Sequence, residues 1–313
     1  MRKILLASTA IVALGVSAAS ADITLSGSAK WTYTSWSLTG NNDDNTNFTH
    51  NSDLTIASSF ASDNGLTYGT SHGIDEGGTS DSQKMFVSGS FGEIRFGGAT
   101  AGDAFDTSAN VAEGEANKSG ATFAGNSAAA MANDTAVSYF TPSVNGFAAG
   151  VATGDAGDTS TADITEMGAS YSMDVSGASV KLAYASSDKA ASASGANDGI
   201  SATSLGATIT YGDLTLTLAS NSKKHDNGSY DYDGTGIGVA YVLQDGLTLK
   251  AHNVTADDSK VAGYDASETA VSLTYTVAPG LTANVAYTDY EFDADGSSKK
   301  SGSSTTAYLK VAF

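Results

Sequence analysis

Several charged residues sit where an apolar neighbour would be expected on either side. Arg95 lies between Ile94 and Phe96. Neighbours alternate faces along an extended strand, so Arg95 points away from both. If the apolar face meets lipid, Arg95 faces water on the other side. On the lipid face it would cost up to about 2–4 kcal/mol at mid-membrane. Two roles stay open for it: a wall charge that biases passing ions, or a salt bridge that holds a folded loop. Lys84, Lys181, Lys250 and Lys310 alternate with apolar residues in the same way, and Lys30 does so beside Trp31. They are read as water-facing cations, with snorkelling near a rim as the plain alternative. The opposite charge gathers in 99–133, which carries Asp103, Asp106, Glu113 and Glu115, with Lys118 beyond them.

Other chemistry is poorly supported. The chain has no cysteine, hence no disulfide framework, thiolate nucleophile or thiolate metal site. His50, His72, His225 and His252 form no close pair at metal-binding spacing. No exposed-serine elbow and no glycine-rich phosphate loop is present. No enzyme constellation emerges, and no cofactor is expected. Asp43 with Asp44, and Asp103 with Asp106, offer oxygen ligands of the kind calcium takes. No segment has the spacing of a dedicated calcium loop, so a structural Ca2+ is the lesser reading beside a solvated acidic loop.

The elements that position these residues are short strands. Residues 1–21 are set aside first. Arg2 and Lys3 precede an apolar run from Ile4 to Val16, and Ala19-Ser20-Ala21 offers small residues at a cleavage site. That is the layout of a signal peptide cut after Ala21, leaving 22–313 as one domain. Losing two cations takes the formal charge from -19 to -21. So acidic a chain should repel nucleic acid and attract cations. Beyond Ala21, apolar residues recur with period two. Ile23, Leu25, Ala29, Trp31 and Tyr33 share one parity, as do Leu205, Ala207, Ile209 and Tyr211. The last run is Ala307, Leu309, Val311 and Phe313.

The segments between these runs alternate in length. Short ones include 61–65, 92–93, 142–146, 174–177, 212–213, 243–246 and 278–280. Long ones are 37–51, 73–83, 99–133, 154–162, 187–199, 221–233, 255–266 and 291–303. The count is sixteen strands, eight long loops and seven short turns. Strands in lipid must satisfy every backbone group, so an open edge is excluded. The pattern predicts an all-β, sixteen-stranded antiparallel transmembrane β-barrel, with short periplasmic turns and long extracellular loops. Phe313 then closes the last strand onto the first.

At Lys84 to Gly98 the sequence reads KMFVSGSFGEIRFGG, and at Val137 to Phe147 it reads VSYFTPSVNGF. With the closing AYLKVAF, these resemble the general bacterial porins, especially those of alphaproteobacteria such as Rhodobacter. The resemblance implies a homotrimer of barrels in the outer membrane of a Gram-negative bacterium, set in lipid and lipopolysaccharide. It implies that the third long loop, 99–133 here, folds into the lumen and narrows it. That loop's carboxylates would face basic wall residues, so Asp103, Asp106, Glu113 and Glu115 stand against Arg95, Lys84, Lys181 and Lys310 as constriction candidates. It also implies that Phe313 is a mark read by the outer-membrane assembly machinery. The family often has a ladder of wall arginines; this chain has one arginine after residue 21.

The function expected is passive diffusion of ions and small hydrophilic solutes, with mild cation preference. A substrate-specific channel, for sugars or the like, is the first alternative. It calls for lumen aromatics, whereas many aromatics here share parity with the aliphatics. An exported surface-layer or adhesive protein is the second, and strict alternation to Phe313 argues against it.

Overall fold

The computed structural model describes residues 22–39, 45–78, 80–97, 100–112, 136–154, 163–191, 199–226, 231–258, 264–293 and 300–313. Residues 1–21, and with them the expected signal peptide, lie outside the described residues.

The first eight strands are β1 (Asp22–Leu38), β2 (Asn45–Ala61), β3 (Thr67–Asp75), β4 (Ser80–Gly89), β5 (Gly92–Phe96), β6 (Ala136–Phe140), β7 (Phe147–Gly154) and β8 (Ile164–Val175). The next four are β9 (Ala178–Lys189), β10 (Ile200–Tyr211), β11 (Leu214–His225) and β12 (Asp231–Gln244). The last four are β13 (Leu247–Asp258), β14 (Tyr264–Ala278), β15 (Leu281–Phe292) and β16 (Lys300–Ala312). One short helix, α1 (Ala101–Phe105), follows β5.

Each strand pairs antiparallel with its neighbours in sequence, and β16 returns to β1, so the sheet is a closed sixteen-stranded barrel. The seam runs from Ser28 opposite Ala312 to Leu38 opposite Gly302. One residue further, Gly27 and Phe313 exchange both backbone hydrogen bonds, at 2.9 and 3.0 Å. A Cβ on Gly27 would stand 2.9 Å from the Phe313 ring, so glycine lets the terminal aromatic lie against the first strand.

Period two sorts the side chains as expected. On one face lie Trp31, Leu205, Ile237, Val271, Val285 and Phe313, all large, apolar and exposed. The opposite parity carries Thr32, Thr34, Ser204, Ser272, Thr288 and Thr306, all buried. A water-soluble barrel would be the reverse, because so wide an apolar exterior is stable only against another apolar medium.

The strands run further than alternation alone indicates. β1 reaches Leu38 and β2 starts at Asn45, so most of the expected loop 37–51 is ladder. Expected loops 221–233, 255–266 and 291–303 shorten likewise. The physical reason is that backbone pairing continues where neither face needs to be apolar, so hydrogen bonds persist after the hydropathy pattern has stopped. The turn read at Gly92-Glu93 is shifted: both residues belong to β5, and the chain reverses at Ser90-Phe91. The reversal after β8 is Ser176-Gly177, both at positive φ (50° and 85°), a two-residue turn whose twist suits paired strands.

Candidate functional site

Residues 100–112 leave the wall after β5 and lie inside the barrel. The proof is which strands they touch. Phe105 packs with Ala185 of β9 and with Phe140 of β6, whose ring centroid is 6.3 Å away. Ala109 packs in one cluster with Ala219 of β11, Val254 of β13, Ala266 of β14, and Tyr290 and Phe292 of β15. One short segment cannot reach so wide an arc of a closed barrel from its convex side. The parity it touches is therefore the inner one.

Small wall residues make room for it. A Cβ on Gly168 of β8 would stand 2.5 Å from the Phe105 ring. On Gly206 of β10 it would collide with Thr107, and on Gly238 of β12 it would come within 2.5 Å of the Ala109 carbonyl. Gly150, Ala185 and Ala219 continue the row along the inner face. The segment thus lies in a shallow track from which side chains are missing.

Two polar contacts fasten it, at Gly102 and at Ala112. The Gly102 amide donates to Glu166 Oε2 at 2.7 Å. The Ala112 amide donates to His252 Nδ1 at 3.2 Å, and His252 Nε2 lies 2.8 Å from Glu268 Oε1. Glu166 and Glu268 are among the largest fully buried side chains of the chain. A charge-assisted bond in so dry a site is stronger than its exposed counterpart.

Arg95 shares the inner face with its register partners Phe86 and Ser138. Its guanidinium pairs with Glu93 at 2.7 Å and lies 4.5 Å from the centre of the Phe140 ring. That ring touches Phe105, so Arg95 supports the segment through an aromatic while its side chain stays partly open to the lumen. Lys84 is on the inner parity of β4, its Nζ 5.3 Å from the Phe86 ring. Lys181 shares its parity with Ala183 and Ala185, and Lys250 with His252. Lys310 stands directly opposite Lys30 across the seam, with the Lys30 Nζ 5.5 Å from the Tyr308 ring. Lys181 and Lys250 lie closer to the short turns than the glycine track does.

Of the acidic candidates, Asp106 follows α1 and is half-buried, with Oδ1 enclosed and without a hydrogen-bond partner among the described residues. Asp103 belongs to α1, but its side chain lies outside the described residues, as do Glu113, Glu115, Asp43 and Asp44. Among the described residues, no three His, Asp or Glu side chains converge as a metal site would need.

Sequence reasoning missed the functional glycines and both clasps. Gly168, Gly206 and Gly238 sit on the parity opposite to Met167, Leu205 and Ile237, where most strands have a polar residue; that substitution was the available signal. Glu166, His252 and Glu268 share the inner parity of the singled-out lysines, but Thr165, Asn253, Ser267 and Thr269 stand beside them, so no apolar alternation marks them.

A closed barrel with an apolar exterior, a polar interior and a chain segment lodged inside defines a transmembrane β-barrel with an internal constriction. A family model described as Gram-negative porin matches residues 7–295. The chain therefore belongs to the Gram-negative porin family, barrels of the outer membrane. A loop L8 deletion mutant of OmpT from Vibrio cholerae superposes with a TM-score of 0.74 at 13% identity, over 94% of this chain and 99% of that one. An anion-selective porin from Comamonas acidovorans gives 0.69 at 16%, over 94% and 100%. The Rh. blastica porin, as its E1M, A104W mutant, gives 0.65 at 16%, over 93% and 100%. At these identities the likeness concerns the fold. No curated protein sequence matches the chain.

Proposed function

We propose that the barrel is a channel for passive diffusion of ions and small hydrophilic solutes, with segment 100–112 setting its width. The observation that carries this is the inversion of the barrel: polar and charged side chains line the inner face, and large apolar ones cover the outer. Such a lumen holds water, and a solute crosses it with much of its hydration intact. No covalent step or energy source is needed.

Selectivity follows from where the charges stand. The charge of -21 beyond residue 21 draws cations to the mouth. Arg95, Lys84, Lys181 and Lys310 on the wall oppose that excess and leave a mild cation preference. Asp106 contributes a negative charge on the inner segment, and Asp103, Glu113 and Glu115 are proposed to add to it. Swelling of liposomes carrying the protein, in neutral sugars of graded size, tests the reading. The rate should fall smoothly with solute radius and ignore stereochemistry. Saturable uptake of one sugar and exclusion of its isomer would point to a substrate-specific channel instead.

The assembly proposed is a trimer of this chain. Among the described residues the β5–β6 register pairs four residues on each side, Glu93–Phe96 with Val137–Phe140. Four residues rise about 13 Å, short of the roughly 25 Å apolar band of a lipid-facing wall. The outer face nearby carries polar His50, Thr70, His72 and Gln83, and grooves of about 250 to 450 Å³ open between β2 and β8. Such polar groups suit a protein neighbour better than lipid; two further copies of the chain would cover them. A nearer kinship with alphaproteobacterial porins is proposed on the motifs at 84–98, 137–147 and 307–313, and Phe313 is proposed as the residue the assembly machinery reads.

A further inference from the structure

Passive diffusion needs a segment that narrows the lumen, but it does not need that segment tied down by an ionisable ring. We infer that His252, backed by Glu268, positions segment 100–112 at Ala112 and holds it only while the imidazole is neutral. The inference rests on the reading of the barrel as a diffusion channel.

The hydrogen bonds fix the tautomer. The Ala112 amide points at Nδ1 from 3.2 Å, so Nδ1 must offer its lone pair and carries no proton. The ring proton is then on Nε2 and is donated to Glu268 Oε1 at 2.8 Å. A second proton can enter only at Nδ1, where it would face the Ala112 N–H, donor against donor. Both side chains of the pair are 2% exposed, so water does not take over the orphaned amide.

Among the described residues, few other charges bear on the ring. On its own strand the neighbour of the same parity is Lys250. β12 presents Gly236 and Gly238, and β14 presents Glu268 and Ala270. The described end of the segment, 108–112, has no ionisable side chain. Glu268 is the one of these in contact, and its Oε2 is buried without a hydrogen-bond partner among the described residues. The other clasp behaves differently. Glu166 receives the Gly102 amide on an oxygen, and a protonated carboxyl still has an oxygen that accepts. An imidazolium has no acceptor at all. Acid therefore loosens the segment at Ala112 and spares its hold at Gly102, and residues 105–109 sit less firmly on their glycine track.

The test compares the protein with His252→Gln, whose amide oxygen accepts at any pH, at about pH 7.5 and about pH 5. Acid should cut the wild-type single-channel conductance by about half and add flicker, and leave the variant unchanged. A second readout does not depend on conduction. The chain has no cysteine, so Ser108→Cys carries a single nitroxide label. The label should become more mobile in acid in the otherwise native protein, and not when His252→Gln is added. Equal mobility at both pH values, or the same acid response with and without His252, overturns the inference. A barrel that conducts while its label ignores pH keeps the diffusion reading and loses the clasp. A label freed by acid through His252 in a barrel that passes no current does the reverse.

Discussion

Arg95 shows how far a single residue can be read. Period two placed it opposite Ile94 and Phe96, and it does face the lumen. Its ion pair with Glu93 follows from the same parity, since the two are next neighbours on one face of β5. Its stacking on Phe140 does not, because that residue arrives from beyond the third loop. Replacing Arg95 with glutamine removes one wall cation and leaves the Glu93 charge bare. A charge at contact distance in water is worth about 1 kcal/mol, less with salt. The reversal potential in a salt gradient should shift toward cations; an unchanged potential would show that Arg95 does not face the conducting path. Phe313 is the other residue whose place was legible. Deleting it removes two backbone hydrogen bonds to Gly27, worth roughly 0.5–1.5 kcal/mol each. The heat needed to unfold the barrel in detergent should fall, and an unchanged transition would mean that the seam does not depend on its last pair.

At the scale of elements, the strands were legible and the packing of the segment against them was not. A strand announces itself locally through alternation. A glycine on the inner parity announces only that a side chain is missing, and what fills the space comes from elsewhere in the chain. Gly206 illustrates this, since its neighbour Thr107 belongs to a different element. Gly206→Val should push Thr107 off the wall at a cost of about 1–3 kcal/mol for overpacking, and should alter single-channel conductance without changing the far-ultraviolet spectrum. Native conductance in that variant would deny the track its role. The two faces differ just as sharply. Val285→Arg, on the outer face of β15, should cost about 2–4 kcal/mol in urea unfolding from lipid. Thr208→Arg, on the inner face of β10, should cost far less. Equal costs would contradict the assignment of faces.

The whole molecule is a wall with two solvents, lipid outside and water inside, and that arrangement explains most of its sequence. The outer aliphatics solvate the barrel, and in the proposed function the inner polar groups and the chain's acidity bias what enters. Membrane closure was legible because it is imposed by backbone hydrogen bonding along the whole chain. The clasps at Glu166 and His252 were not, because each joins residues distant in sequence through one side chain. The account's central claim is that this interior is an open aqueous path. Single-channel recording in a planar bilayer, with only salt present, addresses it most directly. The account predicts ohmic conductance without any added substrate, appearing in steps grouped by threes. A correctly folded barrel that inserts and passes no ions would contradict it.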